Sequence, residues 1–129
     1  PRAPVLVIAC TKLTIEHPER PTRDNPHAVY DLGQAVADLS VQATADGLFV
    51  HQMGGFDAAA ARAACAVPDG FAPHVAIAIG YGGDVAVLDE DLQVREAAER
   101  VRRPMAQSVF GGAWDHGAAW ASERNDNDA

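Results

Sequence analysis

The run Gln52-Met53-Gly54-Gly55-Phe56-Asp57 sets an extended segment, a glycine pair and a helix-capping acid in immediate succession. Paired glycines leave no side chain between the backbone amides and whatever lies against them. A planar ligand could stack there with its heteroatoms facing the N–H groups, at a helix N-terminus whose dipole favours electron-rich atoms. The same residues also read as a strand-to-helix turn whose glycines supply a positive φ. A second concentration of chemistry-bearing residues is Arg100, Arg102 and Arg103, just before Pro104. Taken alone, these read as a helix C-terminus neutralising its own dipole.

The remaining candidates carry less. His17, His27, His51, His74 and His116 are scattered over a loop, a helix start, two strands and the tail, which points to structural histidines and to no metal site. Cys10 and Cys65 show neither C-x-x-C spacing nor neighbouring histidines and read as small buried hydrophobes. Gly80-Tyr81-Gly82-Gly83 lacks the G-x-G-x-x-G spacing of a dinucleotide turn and reads as a plain turn. No catalytic residue is nominated, because no Ser/His/Asp or paired-carboxylate constellation is present.

These residues must be positioned by the surrounding elements. Residues 5–10, introduced by Pro4, form a continuous aliphatic and β-branched run that suits a central strand covered on both faces. Residues 14–25 are polar and interrupted by Pro18 and Pro21, as in a surface connection. Asn25 then caps a long helix with Pro26 at its first position. Along 26–46, Val29, Leu32, Val36, Leu39 and Ala43 recur at helical spacing, while Ala28, Ala35, Ala37, Val41 and Ala45 fill much of the opposite side. A helix apolar nearly all round needs burial on several faces, and in so short a chain a second subunit is the expected cover. Gly47 ends that helix, and residues 48–53 form a short strand. Asp57 caps a second helix through Ala66, with an exit turn at Val67-Pro68-Asp69-Gly70. Pro73 opens another apolar strand through Gly80, and Asp89-Glu90-Asp91 starts a third helix running to Glu99. Residues 111–129 read as a C-terminal arm or loose tail, with Trp114 and Trp120 either docking it on a partner or anchoring it loosely.

The order is that of an α/β or α+β domain with about three strands, a thin sheet that leaves apolar surface for partner strands to cover. The 129 residues, 48% hydrophobic and 22% charged, suit one domain or a piece of a larger one, and exclude wholesale disorder, collagen and a disulfide scaffold. Ten Lys and Arg against eighteen Asp and Glu leave a formal charge of −8, which repels a phosphate backbone and argues against nucleic acid as a partner. The longest apolar run is too short to cross a bilayer, and no signal-like segment heads the chain, so no membrane partner and a cytoplasmic location are expected.

In matching order along the chain, Tyr30-Asp31-Leu32-Gly33-Gln34-Ala35, Ala43-Thr44-Ala45-Asp46-Gly47-Leu48, Gln52-Met53-Gly54-Gly55-Phe56-Asp57, Ala78-Ile79-Gly80-Tyr81 and Arg100-Val101-Arg102-Arg103-Pro104 resemble the nitroreductase family of flavin enzymes. The resemblance covers residues 4–110 and corresponds to the C-terminal half of that family's domain. It implies an incomplete α+β fold, a nitroreductase-like mixed sheet flanked by helices, forming an intertwined homodimer with FMN at the interface and the long helix buried near the dimer axis. It further implies that the turn matching Met53, Gly54 and Gly55 lies against the isoalloxazine around its N5 and O4 edge. Arg100 and Arg102, with Arg103 as a substitute, would contact the FMN phosphate through charge-assisted, partly bidentate hydrogen bonds. The implied chemistry is hydride transfer from NAD(P)H through flavin to a nitroaromatic or quinone-like acceptor, for which side chains only position and tune the cofactor. The family's first half adds an arginine-rich phosphate segment and further ring contacts, so a flavin site made from this chain alone is incomplete. The alternative is a non-catalytic dimerising or ligand-binding module that retains part of that site.

Overall fold

The computed structural model describes residues 3–122, which form an α+β structure dividing into two compact units, Pro1–Leu88 and Asp89–Ala129. In the first unit a sheet of three strands has the order β1-β5-β4, with β1 at Val5–Lys12, β4 at Phe49–Met53 and β5 at Phe71–Gly80. Both pairings are antiparallel. The ten-residue β5 is central because its alternating Val, Ile and Ala positions can be covered from both faces, and Ile77 is fully buried. Pro73 is tolerated within this strand because it pairs with Cys10 where the β1 register slips, a place where the ladder loses least from a missing N–H.

Residues 5–10 are not a central strand, as their continuous apolar run suggests, but belong to an edge strand of this sheet, and Val5 and Leu6 are exposed. An apolar run reports which faces can be covered, not whether both backbone edges are paired. Residues 14–25 also differ from expectation. They fold as an antiparallel hairpin of β2, Thr14–His17, and β3, Arg20–Asp24. Pro18 sits in its turn and Pro21 on an exposed strand, both positions that need no proline N–H. The hairpin is tied to the unit through its base, where Leu13 N–H donates to the Gly70 carbonyl at 2.8 Å.

Helix α1 spans Ala28–Ala45. It starts two residues later than Asn25 and Pro26 suggest, with His27 as the cap residue. The Asn25 side chain instead closes the preceding turn, accepting from His27 N–H at 3.3 Å and donating to the Lys12 carbonyl at 3.2 Å. The C-terminus is as expected, with Gly47 at φ 77°. Leu48 N–H reaches the Ala43 carbonyl at 2.8 Å and Gly47 N–H the Thr44 carbonyl at 3.0 Å, the paired bonds of a Schellman cap. Within this chain only one side of α1 is covered. Ala28, Val36 and Ala43 are buried, while Val29, Tyr30 and Val41 are exposed by 58%, 70% and 71%, so the chain itself does not supply the cover an all-round apolar helix needs.

Helix α2 spans Ala58–Ala64, and the Asp57 carboxylate accepts from the N–H groups of Ala59 and Ala60. It stops short of Ala66, which lies at φ 50° and turns the chain away. Cys65 caps this end and is exposed, and Cys10 is half-buried, so neither is the fully buried hydrophobe that their isolation suggested. In the second unit α3 covers Glu90–Ala97 and ends before Glu99, because Ala98 adopts an extended conformation. Residues 111–122, the described part of the expected tail, contain a Phe110–Gly117 bridge and the short helix α4, Ala119–Ser122. Ala118 and Ala121 are buried there, and Trp114 and Trp120 are exposed, with the Trp114 ring 5.0 Å from that of Phe110. Residues 123–129 of that tail lie outside the described residues.

Candidate functional site

Met53 ends β4, is half-buried and pairs with Ala76 of β5. Gly54 and Gly55 follow as exposed residues between that strand and the Asp57 cap. Neither has a positive φ; among the described glycines that conformation belongs to Gly47, Gly70 and Gly112. A Cβ added at Gly54 or Gly55 would meet nothing within 4 Å. The turn explanation therefore fails, because neither backbone conformation nor packing inside the chain calls for glycine at these positions. Among the described residues, the N–H groups of Gly54, Gly55 and Phe56 also donate to no protein acceptor. The result is a short, bare backbone edge with its donors open.

The helix that follows contributes less than the sequence suggested. Asp57 already occupies the N–H groups of Ala59 and Ala60, and α2 has only seven residues, too few for a strong dipole. What the local structure offers a ligand is the edge itself. An open cavity of about 370 Å³ lies beside it and not over it, between α1 and β4, lined by Ser40, Thr44, Leu48, Phe49, Val50 and Gln52 among others. Gln52 Nε2 crosses this cavity wall to donate to Ser40 Oγ at 2.9 Å, and Ser40 Oγ donates to the Val36 carbonyl at 2.8 Å. Within this chain the glycine pair is open surface, so any ring lying on it would need a further wall.

Arg100, Arg102 and Arg103 are exposed and belong to the second unit. They do not sit in the last turn of α3, where the basic residue is Arg95, but in the irregular segment beyond its end. Neutralisation of a helix dipole is thus not their role, since that effect fades outside the terminal turn. No carboxylate pairs with them either: the ion pair among the described residues joins Lys12 to Glu16 on the hairpin. The structure accordingly holds Met53, Gly54 and Gly55 together as one continuous edge of the first unit and Arg100 and Arg102 as a cationic segment of the second.

Among the described residues no group of three or more His, Cys, Asp and Glu is arranged to hold a metal ion, and no helix is long and apolar enough to cross a membrane. Sequence reasoning passed over Arg62, whose guanidinium donates to the carbonyls of Val67, Pro68 and Phe71. Its one signal was being the single charge within an alanine-rich run.

No family model matches the chain. An uncharacterized 15.4 kDa protein from the ask 5′ region of Mycolicibacterium smegmatis is 40% identical over 88 residues, covering 68% of this chain and 59% of that protein. Among solved structures, one described as an oxidoreductase containing FMN superposes with a TM-score of 0.81 at 29% identity, over 87% of this chain and 56% of that one. A nitroreductase family protein from Clostridium difficile 630 shares the fold at a TM-score of 0.62 and 20% identity, over 86% of this chain and 60% of that one. The chain thus spans less than two thirds of the length of each of these relatives. The superposition over most of the chain gives it a nitroreductase-like α+β fold, spanning somewhat more than half the length of the solved structures that share this architecture.

Proposed function

We propose that this chain is part of an FMN-dependent oxidoreductase of the nitroreductase type that carries hydride from NAD(P)H to a nitroaromatic or quinone-like acceptor, working as a cytoplasmic homodimer. The observation that carries this reading is the Gly54–Gly55 edge, where neither φ nor any neighbour among the described residues accounts for the absence of side chains. Glycine is then explained by what lies outside the chain, and a flat ring needs that clearance. The open N–H groups of Gly54, Gly55 and Phe56 suit the electron-rich N5 and O4 edge of an isoalloxazine. Met53 offers a polarizable, half-buried side chain at the border of the edge. Arg100 and Arg102, which have no carboxylate partner among the described residues, suit the phosphate by charge-assisted bonds.

FMN, when bound, would supply the redox chemistry between NAD(P)H and the acceptor. The chain's own residues bind and orient: the glycine edge excludes side chains from the ring plane, the arginines hold the phosphate, and the exposed face of α1 with Val29, Tyr30 and Val41 provides apolar surface for a second subunit. The rest of the flavin site comes from outside the chain described here.

The test is uptake and reduction. Purified protein titrated with FMN should quench flavin fluorescence, turn yellow and bleach under anaerobic NADH or NADPH, with sedimentation giving a dimer. Protein that dimerises but ignores FMN would instead fit a non-catalytic module joined through α1.

A further inference from the structure

Helix α2 has no buried residue, and its alanine side chains bring little apolar area against the sheet. Packing against β5 alone therefore holds it weakly. Arg62, on this helix, turns its side chain back onto the main chain: Nη1 donates to the carbonyls of Val67 and Pro68, each at 2.9 Å, and Nη2 donates to the carbonyl of Phe71, the first residue of β5. Those acceptors are gathered by a tight reversal. Ala66 lies at φ 50° and Gly70 at φ 83°, and Val67 N–H closes onto the Arg62 carbonyl at 3.0 Å. A planar guanidinium presents its donors in a fixed fork and can serve all of these oxygens together, whereas an ammonium is a compact point charge.

The glycine edge is suspended between two supports. On the β4 side Met53 is held in the ladder and Gln52 is bonded to Ser40 of α1. On the other side Phe56 and Asp57 lead directly into α2, whose tie to β5 runs through Arg62. We propose that Arg62 is a positioning residue: it fixes α2 against the start of β5 and so sets the orientation of the Gly54–Gly55 backbone. This rests on the reading of that edge as the flavin-facing surface.

The experiment compares the full chain with Arg62→Met and Arg62→Lys, recording amide NMR spectra and heteronuclear NOEs alongside FMN titrations. In both variants the Gly54 and Gly55 amide signals should shift and their NOEs fall, while those of β1, β4 and the part of β5 beyond its first residues stay in place. FMN binding should weaken roughly tenfold, with the visible band of bound flavin moving toward that of the free cofactor. Lysine, which keeps the charge but not the fork, should not rescue either readout. Changes confined to residues 65–71, or spread evenly across the sheet as in general unfolding, would overturn the proposal. If the unsubstituted protein takes up no FMN, it is the flavin reading that fails, and the glycine NOEs still decide the role of Arg62.

Discussion

Two glycine-containing turns of the first unit invite opposite explanations. At Gly80 a Cβ would stand 2.8 Å from Pro4 Cδ, and at Gly82 one would stand 3.1 Å from the Phe49 ring, so neighbours within the chain account for the missing side chains. At Gly54 and Gly55 the same addition meets open space, and no positive φ intervenes. Both turns look alike as letters. The difference is that neighbours within the fold account for one, and none among the described residues accounts for the other.

The sharpest way to break this comparison is to make the same substitution on both sides of it. Gly55→Val should leave thermal stability within about 0.5 kcal/mol of the parent, as expected for an exposed site without packing partners. It should nonetheless weaken FMN binding by roughly a hundredfold or more, about 2.7 kcal/mol, by placing methyl groups in the ring's path. Unchanged binding in a fluorescence titration would remove the edge from the site. Gly80→Val should do the reverse. Its side chain is forced against Pro4, and overpacking of this kind costs roughly 1–3 kcal/mol, read as a lower midpoint in urea with no change in slope. A stable Gly80→Val variant would show that Pro4 yields easily, and would weaken the contrast.

The arginine segment sharpens the comparison from the other direction, because there the side chains and not their absence are the signal. Arg102→Ala should weaken FMN about tenfold, roughly 1.4 kcal/mol, while riboflavin, which lacks the phosphate, binds as before. Equal losses for the two ligands in parallel titrations would mean that Arg102 acts on the ring or on the fold.

How far the sequence could be read depended on whether the deciding partner was local. The Schellman cap at Gly47 and the Asp57 cap were legible because each is completed within a few residues. The hairpin over 14–24 was not, since Pro18 and Pro21 signal a break equally well in a loop, a turn or an exposed strand. The edge position of β1 was hidden for a related reason: it depends on which other strands exist, and nothing in residues 5–10 encodes that. At the site, Gly54-Gly55 and Arg100 and Arg102 stood out as residue types, but each admitted a local explanation that only φ values and the end of α3 could dismiss. Arg62 was illegible because its acceptors are carbonyls, which every residue has.

The smallest expected effect tests whether open polar groups in this chain belong to a ligand edge or are merely unpaired. The donors of Gly54 and Gly55 are exposed and can be hydrated, so leaving them without protein partners costs little. Thr11 is the opposite case. Its side chain on β1 is only 3% exposed, and its Oγ1 has no hydrogen-bond partner among the described residues. A buried hydroxyl without a partner loses its hydration and gains nothing in return. Thr11→Val keeps the shape and β-branching while removing that group, and should stabilise the unit by about 1 kcal/mol, seen as a higher urea midpoint at constant slope. Loss of stability would mean that the hydroxyl is bonded after all, by a group outside the described residues. Thr11 would then be a satisfied interior group, and the contrast between a costly buried hydroxyl and an inexpensive exposed edge would have to be redrawn around β1.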